Sequence, residues 1–566
     1  MSRFSVQVIE DISRNFQNID TTSFNKDDTE FPQHILENIQ EYIPIYRRFT
    51  DTDTNVSANI CLNHRYHVVD GEQIYDMKDK QTCNQDFFVK YSPLLDPLRY
   101  MIGKYEQNRE HIHKLPFINK THAISKLDDV NNCAYTDGFF YYLSSRLQET
   151  YHFPHGIRYF GSQLAIQKYY KINVEEDLEY LSGSPFFDEN VNKLFVITNS
   201  NYEAYGGTCK NKEPLKITKT LKHNFSCCSL EDTSIIADDE NIDEITDELI
   251  YEHQKQSSDE DKESEQSSQT SSSNSSLNYS SQNSNKGEDD DESQWETDDD
   301  ENDDENDDEN DDDSSMEEEA HAIIYDYPVQ MICLEKCDNT LDYMFENSQI
   351  NEENGAGILF QIIMILLCYQ KVFHFTHNDL HTNNVMYNNV EQSYLYYKYK
   401  NQYYKVPTHG KLFKLIDFGR SIYKFDGKAF CSDSFSPSGD ASSQYNCEPY
   451  MNEEKPRIDP NMSFDICRLG CSIYDFIIHD DDAKNYDELQ KTVKRWCTDD
   501  NGKNVLYKKN GDDRYPNFKL YKMIARTVHG HTPEEQLKQN YFKQFACDKP
   551  NETCEIIDID EMMYHG

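Results

Sequence analysis

Apolar and polar positions divide this chain into two patterned stretches separated by one with no pattern. Residues 1 to about 40 are polar and irregular. From Tyr42 to Asp86, short apolar pieces alternate with turn-formers, including the hairpin signal Asp70-Gly71. Phe87-Phe88-Val89-Lys90-Tyr91 reads as a strand, and Leu98 to Tyr105 as a short amphipathic helix. Thr136 to Thr150 places Phe139, Tyr142, Leu143 and Leu147 at helical spacing, with Asp137 at its start. Ile157 to Ile166 and Lys193 to Thr198 read as strands, and so does Val329 to Leu334. Gly357 to Phe373 is a strongly apolar helix. Its longest run, Ile358 to Cys368, is broken by Gln361 and too short to span a bilayer, so a core helix is expected. Val385-Met386-Tyr387 and Leu412 to Ile416 flank a hairpin-like insert, and Phe464 to Ile478 is another apolar helix.

Pattern fails between Glu231 and Glu319. This stretch holds a Ser-rich run, Ser271-Ser272-Ser273-Asn274-Ser275-Ser276, and three copies of Asp-Asp-Glu-Asn ending at Asn302, Asn306 and Asn310. It contains 37 Asp and Glu against three Lys and no Arg, a net of −34. Such a segment buries too little apolar area to offset its ordering entropy, and its charges repel, so it is expected to be a disordered acidic insertion. The chain's total charge is −48, which leaves an ordinary −14 on the remainder. The absence of large basic stretches argues against a nucleic-acid partner, and the acidic insertion suits a basic one. The 16 Cys are scattered, and Met1 to Gln40 carries no apolar signal core. These features lead to the expectation of a soluble, reduced intracellular protein, with no membrane partner.

The segment His377-Asn378-Asp379-Leu380-His381-Thr382-Asn383-Asn384 follows the apolar helix and precedes a strand. Its H-x-D-L-x-x-x-N spacing suits a base, Asp379, that accepts a hydroxyl proton, with Asn384 turning back to hold a metal beside phosphates. Downstream, the apolar strand Leu412 to Ile416 runs into Asp417-Phe418-Gly419. There Asp417 would coordinate magnesium and Gly419 gives the departing loop its freedom. Ser463 to Tyr474 reads S-F-D-I-C-R-L-G-C-S-I-Y, with Asp465 at the start of a helix. Met331-Ile332-Cys333-Leu334-Glu335-Lys336-Cys337 is an apolar strand running into a polar link.

Together these segments, from Val329 to about Arg526, resemble the eukaryotic-type Ser/Thr protein kinase superfamily. The phrase Phe88 to Pro97 and the Asn-, Ile-, Lys- and Tyr-rich composition look like the divergent kinases of giant DNA viruses. The resemblance implies an α+β, bilobal protein kinase-like fold, with a small β-rich N-lobe and a larger helical C-lobe. Residues 1–40 would form an N-terminal extension and 41–335 the N-lobe, interrupted at about 200–321; residues 336–566 would form the C-lobe. It implies an ATP-dependent Ser/Thr protein kinase using Mg-ATP on protein hydroxyls, in the cytoplasm of a host or in a virion. Asp379 and His381 would be catalytic, and Asn384 and Asp417 would hold Mg2+. Lys90 would hold the α- and β-phosphates, while Leu334, Glu335 and Cys337 would line the adenine site, the last two through backbone groups. Asp465 would accept backbone N–H bonds from the catalytic loop.

Several departures matter. Asn378 stands where the family has Arg, and His381 where it has Lys, a substitution familiar in small-molecule kinases. No G-x-G-x-x-G precedes Lys90, so a Gly-rich cover is degenerate within about residues 57 to 80 or absent. Asp379 and Asp417 lie 38 residues apart, which marks Glu391 to Thr408 as an insertion. Asp137 and Glu149 both remain open as the carboxylate partner of Lys90. A small-molecule phosphotransferase and a pseudokinase scaffold are the competing functions.

Overall fold

Strands that read clearly in the sequence assemble into one antiparallel sheet. The computed structural model describes residues 4–10, 31–50, 60–70, 73–118, 120–198, 320–478, 485–516 and 518–566. In chain order, the strands that position the site are β1 (Leu36–Gln40), β2 (Tyr66–Asp70), β3 (Gln73–Asp76), β4 (Gln81–Asn84), β5 (Phe87–Pro93), β6 (Tyr159–Asn173), β7 (Phe195–Ile197) and β8 (His321–Glu335). The main sheet runs β1-β6-β8-β5, and β7 also pairs with β8. Lys90 lies opposite Ile332, and Phe88 opposite Leu334. The acidic stretch 231–319 lies outside the described residues. So does 199–230, but the described residues on either side of that gap meet: Ile197 pairs with Ala322, and the Thr198 amide donates to the His321 carbonyl at 2.8 Å. The intervening chain therefore leaves and re-enters the sheet at adjacent points, as an insertion must. Replacing residues 231–319 with a short Gly/Ser linker should leave a single cooperative unfolding transition, because closing a loop between paired strands costs little. Loss of folded protein on urea titration of the deletion would refute this.

Helix α1 (Cys133–Tyr151) packs on one face of the sheet. It starts at Asn132, whose side chain accepts the Ala134 amide. Gly138 makes the close approach possible, since a Cβ there would run into Gln330 and press on Ile332. That closeness brings the neighbouring Asp137 to the sheet. A smaller sheet, β2-β3-β4, covers the other face. Its Val68 and Ile74 pack with Val89, Phe160, Met331 and Cys333. Val89 and Cys333 alternate with Lys90 and Leu334 along their strands, so they face away from the Lys90 side.

The helix-rich part is built on α2 (Glu352–Phe373), capped reciprocally by Asn351 and Asn354. This helix is long and apolar enough to cross a membrane, but 89% of its apolar window is buried inside the protein. It packs on the strand Lys411–Leu415 and on the helix Glu488–Trp496. Glu391 to Thr408 forms the hairpin Tyr394–Tyr399/Gln402–Pro407. Ala546–Cys547 and Ile556–Asp558 add a strand on each side of it.

Two expectations need correction. The first 40 residues are not wholly irregular: Val8–Glu10 pairs with Ile60–Leu62, and β1 is an edge strand of the main sheet. Edge strands with one solvated side carry little apolar alternation, which hid them. The helix expected from Leu98 to Tyr105 is the single turn Pro97–Met101, N-capped by Asp96.

Candidate active site

The loop after α2 is held by a buried carboxylate. Asp465 opens helix α3 (Phe464–Ile477), and its two oxygens accept the amides of His377 and Asn378, each at 2.9 Å. His377 is bonded through Nε2 to the Ile416 carbonyl at 2.9 Å, which ties the loop to the strand entering Asp417. Asn378 adopts a left-handed backbone (φ 63°). Its amide group donates to Thr376 Oγ1 at 3.1 Å and to the Arg420 carbonyl at 3.0 Å, and its oxygen accepts the Tyr445 hydroxyl at 2.8 Å. The residue that replaces Arg is thus a neutral strut that joins the loop to the chain beyond Gly419.

Asp379 sits at the mouth of this loop. Its carboxylate accepts the Tyr521 hydroxyl at 2.8 Å, and Tyr521 in turn accepts Arg468 Nε at 3.0 Å. Burial raises the Asp379 pKa, but Arg420 and Arg468 outweigh it and hold the carboxyl below its usual range. The residue therefore stands as a ready proton acceptor. His381 is different from the Lys it replaces. Burial pushes its pKa down to about 4, so it is neutral near pH 7. Asn384 Nδ2 donates to His381 Nε2 at 3.0 Å, which assigns the imidazole proton to Nδ1. The same Nδ2 donates to the Asp379 carbonyl at 2.9 Å.

On the sheet side, Lys90 Nζ lies 2.8 Å from Asp137 and 3.0 Å from Asp417. The partner carboxylate left open by the sequence is therefore Asp137; Glu149 pairs with Arg146 at 2.5 Å. Burial alone would lower the Lys90 pKa, yet the two carboxylates hold it well above its ordinary value. Asp417 is half in solvent, and Lys90 more than offsets burial to bring it to about 2. Helix α1 also grips the D-F-G backbone. Asp137 accepts the Phe418 amide at 2.8 Å, and the Tyr141 hydroxyl accepts the Asp417 amide at 2.8 Å. The Phe418 ring is buried against Phe140, Tyr141 and His377. Asp137, Tyr141, Arg468 and Tyr521 carry no motif signature; only Asp137 had been considered, as one of two acids on a helix.

The link after β8 is more constrained than expected. Glu335 is buried, its carboxylate 2.6 Å from Lys414 and 3.2 Å from Arg158. Its amide donates to the Arg158 carbonyl at 3.0 Å. Glu335 is thus an ion-pair centre whose N–H is already bonded to Arg158, so of its backbone groups the carbonyl is the one that remains to offer. Leu334 and Cys337 are buried at the same edge. Phe88, cross-strand from Leu334 and two residues before Lys90, is 48% exposed and offers a flat apolar surface that the sequence reading did not single out. A cavity of about 720 Å³ opens from Lys90, Asp137 and Asp417 towards Arg420, Asp433 and Asp440. Leu334 and Cys337 do not line it. The segment expected to hold a degenerate Gly-rich cover includes β2 and β3, which pack on the sheet face away from Lys90.

The chain matches no protein-family model and no curated protein. The donor set itself favours a hard cation. Asp417 supplies an ionised, accessible carboxylate, and Asn384 spends its N–H groups within the loop, which leaves its amide oxygen for a ligand.

Proposed function

We propose that the protein is a bilobal protein kinase-like phosphotransferase that transfers the ATP γ-phosphate to Ser or Thr hydroxyls of proteins. The observation that carries this reading is the triad Lys90–Asp137–Asp417, drawn from a strand, a helix and a loop far apart in sequence, beside an Asp379 loop moulded by Asp465. Lys90 would hold phosphate oxygens, with Asp137 fixing its ammonium. Asp417 and the Asn384 oxygen would hold Mg2+, whose charge offsets that of the phosphates when nucleotide is bound. Phe88 offers exposed apolar surface to the base. Asp379, ionised and anchored by Tyr521, would orient the acceptor hydroxyl and take its proton. Neutral His381 contributes hydrogen-bonding geometry to the loop in place of a Lys charge.

Retention of the Lys90 ion pair and of an ionised Asp417 favours an active enzyme over a scaffold. Mg-ATP should raise the melting temperature by mass action, by the equivalent of about 2.7 kcal/mol at a hundredfold excess over Kd. Asp417→Ala should lose most of that shift. A wild-type protein with no shift at millimolar Mg-ATP would overturn the nucleotide assignment.

A further inference from the structure

Away from Lys90, on the opposite face of the main sheet, three soft and borderline donors meet in the fold's interior. Cys61, His64 and His67 are all buried, and one ligand atom from each lies within 4.8 Å of the others. They form a C-x2-H-x2-H run at the turn between the strand Ile60–Leu62 and β2. The ring centroids of His64 and His67 are only 3.9 Å apart.

His64 shows the arrangement of a ligand more than that of a core residue. Its Nδ1 lies 2.6 Å from the Leu62 carbonyl, which only an N–H there can satisfy, so the proton is on Nδ1 and Nε2 keeps its lone pair. Metal-bound imidazoles are oriented in this way by a carbonyl on the other nitrogen. The Nε2 atom is buried and has no hydrogen-bond partner among the described residues. An unpaired buried acceptor is destabilising, and a bound ion would relieve it.

The surroundings leave room for the ion. A cavity of about 30 Å³ is lined by all three donors and by Gly161 and Gln163 of β6. At Gly161 the backbone takes φ +127°, and a Cβ there would sit 3.4 Å from His64 Nε2. The Gln163 side-chain oxygen is buried in the same cavity and likewise lacks a hydrogen-bond partner among the described residues. It is a fourth donor in the same cavity, for direct ligation or ligation through a water.

We propose that Cys61, His64 and His67 bind one zinc(II) ion, with the fourth position turned towards Gln163. A thiolate with two imidazoles and an oxygen suits zinc, which takes mixed N, S and O donors with no electronic demand on geometry. Three donors come from one short turn and the fourth from the main sheet. The ion therefore staples the β2-β3-β4 layer onto the back of the sheet that carries Lys90. This site is independent of the phosphotransferase reading.

The test uses the full chain produced in zinc-containing medium and dialysed against a weak chelator. One zinc per chain is expected by elemental analysis. X-ray absorption at the zinc edge should show one sulfur at about 2.3 Å and two imidazole nitrogens at about 2.0–2.1 Å. Cys61→Ser, His64→Gln and His67→Gln should each lose the zinc, and those that fold should melt earlier than wild type. The absorption spectrum needs no variant, so it decides the case even where a variant fails to fold. Metal-free wild type overturns the proposal. So does a shell with no sulfur or several sulfurs, zinc retained undiminished in folded variants, or copper in place of zinc.

Discussion

Asp379→Asn should lower phosphoryl transfer by about 10²–10⁴-fold, the usual cost of losing a positioned base. The substitution keeps the shape of the side chain, and its amide oxygen still accepts from the Tyr521 hydroxyl. What is lost is the charge and the proton acceptance. Nucleotide affinity should change little, because the residues proposed to meet the phosphates are the ion-paired Lys90 and Asp417. Since the folded Asp379 carboxyl lies below its usual range, it is ionised at neutral pH. As pH falls from neutrality, protonation of Asp379 should not be the first event to limit activity, because burial raises the pKa values of Asp137 and Asp465 while that of Asp379 is lowered. Radiolabel transfer to a mixed protein substrate, followed by phosphoamino-acid analysis, checks both the rate and the acceptor. Equal labelling by wild type and variant would leave only a scaffold. Phosphotyrosine alone would refute the Ser/Thr assignment, and labelling confined to a small molecule would move the enzyme to the other phosphotransferase class.

Asp137→Ala should destabilise the fold by about 3 kcal/mol or more, in the range for removing one partner of a buried ion pair. The carboxylate is 2% exposed and serves three groups at once: the Lys90 ammonium, the Phe418 amide and the Ser92 hydroxyl. Deleting it leaves a buried amide unpaired and lets Lys90 turn wholly to Asp417. Phosphotransfer should fall with stability, because both the phosphate-holding cation and the D-F-G backbone lose their anchor. Glu149→Ala on the same helix is the control. Its pair with Arg146 is largely buried, at 14% and 20% exposure, but Glu149 serves one partner where Asp137 serves three, so Glu149→Ala should cost less stability and leave activity unchanged. Urea titration of both variants, and of Lys90→Met with and without Asp137→Ala, gives the coupling directly. An Asp137→Ala protein as stable and as active as Glu149→Ala would show that the pair has no role.

Local pattern carried much of this protein. The strand at Phe87, the helix at Gly357 and the loop from His377 to Asn384 were legible because each is a run of neighbours whose spacing reflects its own backbone. The Asp465 contact was also legible, but only through the resemblance of Ser463 to Tyr474 to a protein-kinase helix. Tertiary structure alone decided the rest. Choosing Asp137 over Glu149 required knowing that Gly138 lets the helix touch Gln330, which brings one acid to Lys90 and turns the other to Arg146. Tyr521 reaches Asp379 from a helix with no motif, with Arg468 behind it, and a hydrogen bond between residues 142 positions apart leaves no trace in either segment. The Glu335 carboxylate stands beside an apolar strand with no partner in its own segment, and only the fold brings Lys414 and Arg158 to it. Cys61, His64 and His67 sat in plain view as a short run. Their meaning came from burial and from one unpaired nitrogen, and burial is a property that a chain acquires only by folding.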